Sequence, residues 1–125
     1  MEYNGGKIEI SDNVIKEIIF RAAVEYMKIE DNQKEKKKLR KNIMIQRTPE
    51  DHLEITIKDV AAPYNTSIKK YAEDLMIKVK ETVERMTEMP VDAVNIQIGD
   101  IIESTKDMEQ MYEYQEEEEE NEEEK

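Results

Sequence analysis

The run from Ile68 to Met86 limits the fold most, because Ile68, Ala72, Leu75, Val79, Val83 and Met86 recur at steps of 4, 3, 4, 4 and 3. That period puts them on one face of an α-helix and leaves Lys78, Glu81 and Arg85 on the other. Asn65, Thr66 or Ser67 supplies the N-cap, and Pro90 stops the helix. Asp74 with Lys78 and Glu81 with Arg85 add exposed opposite-charge pairs four residues apart. A helix with one apolar stripe needs a second layer to cover it, so the flanking patterns decide the architecture.

Those flanks alternate with period two. Leu53, Ile55 and Ile57 interleave with Glu54, Thr56 and Lys58, and Val94, Ile96 and Ile98 with Asn95 and Gln97, as strands with one buried face do. Ile43 and Ile45 share a face of another strand, and Thr48, Pro49, Glu50 and Asp51 form a turn-prone tetrapeptide, so an antiparallel hairpin is expected. Nearer the start, Lys7, Ile8, Glu9 and Ile10 alternate as a short strand. Val14, Ile15, Ile18, Ile19, Ala22, Ala23, Tyr26 and Met27 then give a second amphipathic helix over residues 12–28, capped by Ser11 or Asp12. Residues 28–41 break the periodicity and are compatible with a helical extension or a loop.

The order β-α-β-β-α-β predicts a two-layer α+β domain, with two helices on one face of a four-stranded sheet and a ferredoxin-like arrangement as the leading topology. The opposite face would carry Glu9, Met44, Glu54, Thr56, Lys58, Asn95 and Gln97 and can meet water. It lacks the strand aromatics on which RNA-recognition sheets stack bases.

Charge divides the chain. Residues 103–125 hold 12 acids and 2 bases, net −10, which leaves −2 of the total −12 for residues 1–102. The expected organisation is a flexible N-terminal arm over residues 1–6, a single α+β domain over 7–102, and an acidic, disordered tail over 103–125. With no Cys and one His, the chain lacks the material for disulfides, thiolate zinc sites and multi-histidine centres. Gly5, Gly6 and Gly99 are its only glycines, so there is no glycine-rich phosphate loop. His52 beside Asp51 reads as a surface hairpin histidine rather than a general base. No catalytic, cofactor-binding or metal-ligating residue is expected. The longest apolar run, Val60, Ala61, Ala62 and Pro63, is far below the roughly 18 residues that span a bilayer, and a cytoplasmic location is expected.

The candidate interaction residues are basic: Lys34, Lys36, Lys37, Lys38, Arg40 and Lys41 in the connector, and Lys69 and Lys70 in the first turn of the later helix. The plain reading of the connector is a solvated charged segment. It could instead grip phosphate or an anionic lipid surface, or dock the acidic tail of the same chain.

Three stretches carry a likeness to a known family. They are Gly6-Lys7-Ile8-Glu9-Ile10-Ser11-Asp12-Asn13-Val14-Ile15; Leu53-Glu54-Ile55-Thr56-Ile57 and on through Tyr64 to Ile68; and Val79-Lys80-Glu81-Thr82-Val83-Glu84-Arg85-Met86-Thr87 through Val91-Asp92-Ala93-Val94-Asn95-Ile96-Gln97-Ile98. Together they resemble the alkaline shock protein family of Gram-positive bacteria over about residues 6–100. The chain departs from that pattern at Tyr26-Met27-Lys28-Ile29-Glu30, where the family has a short Gly-Val turn, and at Pro63-Tyr64-Asn65, where it has Tyr-Gly. The resemblance implies a non-enzymatic cytoplasmic protein associated with envelope stress that self-associates. In some members it also implies recruitment to the membrane through an anchoring partner, and other members are linked to control of fatty-acid synthesis. The expected function is therefore a scaffold or adaptor in cell-envelope homeostasis, with protein partners and no cofactor or small-molecule substrate. The alternative is a nucleic-acid-binding regulatory module that uses residues 34–41.

Overall fold

A computed structural model describes residues 5–103; most of the expected arm and nearly all of the acidic tail lie outside the described residues. Helix α1 spans Asp12–Met27, α2 Gln33–Lys41 and α3 Ile68–Thr87, while the strands are β1 Ile43–Arg47, β2 Leu53–Pro63 and β3 Val91–Ile102. The α+β class holds, with three helices and a three-stranded mixed sheet in the order β1-β2-β3 among the described residues.

Each helix starts on a side-chain cap. Ser11 accepts from the Val14 amide at 3.3 Å, Asn32 from Glu35 at 3.1 Å and Ser67 from Lys70 at 3.2 Å. Helix α1 ends at Lys28 in the left-handed region (φ 58°), whose amide turns back to the Val24 carbonyl, and the buried Ile29 follows with its own amide on the same oxygen. The hairpin turn closes as expected, with the Asp51 amide donating to the Thr48 carbonyl at 2.9 Å and Asp51 at φ 64°. It sets β1 antiparallel to β2 with Ile43 opposite Ile57 and Ile45 opposite Ile55.

Two expectations about the sheet are corrected. Lys7–Ile10 is not a strand: Ile8 is 89% exposed, and this segment is held by Arg47, whose Nη2 donates to the Ile10 carbonyl at 2.7 Å. Its alternation is too short, and only Ile10 packs on the core. The ferredoxin-like arrangement would insert that first strand between the middle strand and the last. Here β2 and β3 pair directly and in parallel, Ile55 beside Val94 and Ile57 beside Ile96, with α3 as the crossover.

The core fills the space between the sheet and α1 and α3. Ile15 and Ile19 of α1, Leu53, Ile55 and Ile57 of β2, and Leu75, Val79 and Val83 of α3 are fully buried. The helices run antiparallel: the Tyr26 and Tyr71 rings lie 5.1 Å apart, and Tyr26 Oη donates to the Tyr71 carbonyl at 2.8 Å. Burial pushes the Tyr71 hydroxyl up to about 12 and raises that of Tyr26 as well. The register of β2 and β3 shifts at Asp59, which sits at φ 56°. Gly99 passes so close there that an added Cβ would lie 2.9 Å from the Asp59 Cα and overlap its carboxylate.

Candidate basic interaction site

Helix α2 carries six bases and one acid, +5 over nine residues, and buries only Leu39. Asn42 closes it by donating its amide to the Leu39 carbonyl and its side-chain Nδ2 to the Lys38 carbonyl at 2.8 Å. The Leu39 anchor and the two asparagine ends make the basic connector a helix that apolar periodicity could not reveal.

Packing assigns the bases different tasks. Arg40 lies over the Phe20 ring, its guanidinium carbon 3.8 Å from the centroid, and Nη1 donates to Glu17 Oε1 at 2.7 Å. Arg40 first and then Arg21 hold the Glu17 carboxyl below its usual range through charged hydrogen bonds. Lys38 pairs with Asp59 at 3.4 Å, which ties α2 to the β2 bulge, and Lys36 donates to the Glu30 carbonyl at 3.1 Å. Lys34, Lys37 and Lys41 are exposed and have no ion pair among the described residues. Spaced i, i+3 and i+7, these three form one stripe.

A crevice of about 1080 Å³ separates α1 from α2, with the buried Phe20 and Val24 in its lining and Lys34, Lys36, Lys37 and Arg40 on the α2 wall. Counting Arg21, that lining holds five bases against the three acids Glu17, Glu25 and Glu30, net +2. Such a surface can hold an extended anionic chain by charge.

Lys69 and Lys70 stand elsewhere, in the first turn of α3, where Lys70 is engaged with Asp74 at 3.2 Å. Among the described residues no hydrogen bond or ion pair joins them to α2, so the candidate bases divide between two places. His52 pairs with Asp92 at 2.9 Å across the β2–β3 start, while the neighbouring Asp51 is taken by Arg47 at 3.1 Å.

Other surfaces are plainer. The solvent face of the sheet presents Met44, Glu54, Lys58, Asn95 and Gln97, all exposed, and no aromatic ring among the described residues. Glu9, expected on that face, belongs to the unpaired segment and meets Lys7 at 2.8 Å. Val14 and Met86, both on expected core stripes, are 50% and 59% exposed and line a shallow groove of about 470 Å³ between α1 and α3. Among the described residues, strand β3 forms a 12-residue edge whose central stretch, Ala93-Val94-Asn95-Ile96-Gln97-Ile98, carries no charge. Among the described residues no group of three or more His, Cys, Asp or Glu could hold a metal ion, and no helix is long and apolar enough to cross a membrane.

No curated protein and no solved structure matches this chain. A family profile does, over residues 1–103, taking in both helices that build the core and all three strands. The chain thus belongs to the alkaline shock protein family, which has a cell envelope-related function.

Proposed function

We propose that this protein is a non-enzymatic scaffold or adaptor in cell-envelope homeostasis, acting through self-association and protein partners, one of which anchors it at the membrane. The observation that carries this reading is the β3 edge. Natural sheets blunt their edges with charge, proline or short length, and an open edge without such protection is a template for strand addition. The charges of β3, Asp92 and Asp100, lie near its ends, and the residues between them, from Ala93 to Gly99, are all uncharged. Family membership supports the envelope setting. Sedimentation velocity across a wide concentration range tests the reading: species heavier than the 14.8 kDa monomer are expected, and Asn95→Lys with Gln97→Lys should reduce them. A monomer at all concentrations, with no envelope protein recovered by crosslinking from cells, overturns it. Unchanged cellular function of His52→Ala is expected, and its loss would reopen an enzymatic role.

A second reading, nucleic-acid binding, draws on the Lys34, Lys37 and Lys41 stripe. It requires affinity that falls steeply with salt and disappears when those lysines are reversed in charge.

A further inference from the structure

We propose that the basic face of α2 is the docking surface for the acidic segment of the same chain at residues 116–124, eight glutamates interrupted by Asn121. Three observations fix this occupant. The first is charge: α2 carries +5, and Lys34, Lys37 and Lys41 form a stripe with no ion pair among the described residues. Lysines at i, i+3 and i+4 repel one another along the helix, and an opposing anionic chain relieves that repulsion. The second is shape. The crevice between α1 and α2 is open along the same wall and has a net positive lining, so an extended chain can lie beside Lys34 and Lys37.

The third is where the described chain leads. Lys38 pairs with Asp59, and Asp59 is in turn pressed against Gly99, so β3 passes the α2 anchor three residues before it ends at Ile102. From Glu103 to Glu116 the chain can reach up to about 45 Å. Helix α2, nine residues long, measures about 13 Å. The glutamates therefore reach every lysine of the stripe, at an effective concentration on the order of millimolar. Docked this way, the acidic segment competes with any other polyanion for α2 and weakens as ionic strength rises.

The chain has no cysteine, so Asn121→Cys in the full-length protein gives one spin-label site inside the acidic run without altering its charge. At low ionic strength the label is expected to broaden the amide signals of Gln33–Lys41. That broadening should vanish near about 0.5 M salt, where the screening length falls to roughly 4 Å. It should also vanish when Glu116, Glu117, Glu118, Glu119, Glu120, Glu122, Glu123 and Glu124 are all changed to Gln, which leaves the folded body untouched. The same tail variant, unlabelled, should bind a fluorescent oligoglutamate probe at least about two-fold tighter than the native chain, because its internal competitor is gone. Broadening centred on Lys69 and Lys70, broadening insensitive to salt, or broadening found only between differently labelled molecules would each overturn the proposal. Equal probe affinity for native and tail-neutralised chains would do the same.

Discussion

Replacing Gly99 by alanine measures how tightly β2 and β3 approach at the bulge. The added Cβ would lie 2.9 Å from the Asp59 Cα, a backbone atom that cannot rotate away, and would also overlap the Asp59 carboxylate. Carbon atoms settle at about 3.5–4.0 Å, so one strand must yield by roughly 0.6–1 Å. Overpacking of this kind costs about 1–3 kcal/mol. Gly99 does not occupy a positive-φ conformation, so alanine also brings the usual gain of about 0.4–1 kcal/mol from a less flexible unfolded chain. The net expectation is a loss of about 1–2 kcal/mol, which lowers the Tm of a domain this size by roughly 5–15 °C. Urea unfolding followed by circular dichroism should show a lower midpoint with an unchanged slope. Asp59→Gly in the same chain should recover part of the loss, since it removes the carboxylate and relaxes the left-handed backbone at φ 56°. A neutral or stabilising Gly99→Ala would refute the close approach, and with it the path that brings β3 past Lys38.

Other expectations follow from single contacts. Leu75→Ala, at a fully buried position on α3, should cost about 2–5 kcal/mol in denaturant unfolding. Ser67→Ala, which removes the α3 cap, should cost about 1 kcal/mol, and Ser67→Gly distinctly less. Glu17 has its folded-state pKa lowered by Arg40 and Arg21, so its contribution is present above the usual carboxylate value of 4.5 and is lost as pH falls through the lower folded value. Acid unfolding of Glu17→Gln should accordingly show a shallower pH dependence than the native protein. Tyr71 has the opposite sign: its folded pKa is raised from 10.0 to about 12, so its contribution is full below 10 and is lost as pH rises towards 12. Ultraviolet titration of tyrosinate should place Tyr71 late, and Tyr71→Phe should flatten the alkaline limb of stability.

The elements legible in the sequence are those with enough apolar residues to set a period. Helices α1 and α3, the hairpin with its Pro49 turn, and the alternating cores of β2 and β3 could all be read from it. Helix α2 could not, because one buried residue in nine defines no period; its helicity rests on the Asn32 cap, Leu39 and the Asn42 closure. At Lys7–Ile10 the pattern had the right period over too few residues, and Ile8 faces water instead of a neighbouring strand. Alternation is also silent about which strands are neighbours, so the parallel pairing of β2 with β3 had no signal in it. Of the site, the bases were legible by composition. Their division into Arg40 on Phe20, Lys38 on Asp59 and an unpaired stripe arises from contacts distant in sequence.

The direct parallel pairing of β2 and β3 across α3 also shapes how the chain emerges during synthesis. Leu53 meets Val91 only after 38 further residues have been made, whereas the β1–β2 hairpin closes locally and early. For that interval, the edge of β2 that β3 will cover presents unpaired backbone N–H and C=O groups, beside the apolar Ile55, Ile57 and Val60 of a core that is still incomplete. The nascent protein is thus most open to capture by chaperones, or to mispairing with a neighbouring chain on the same message, just before β3 leaves the ribosome.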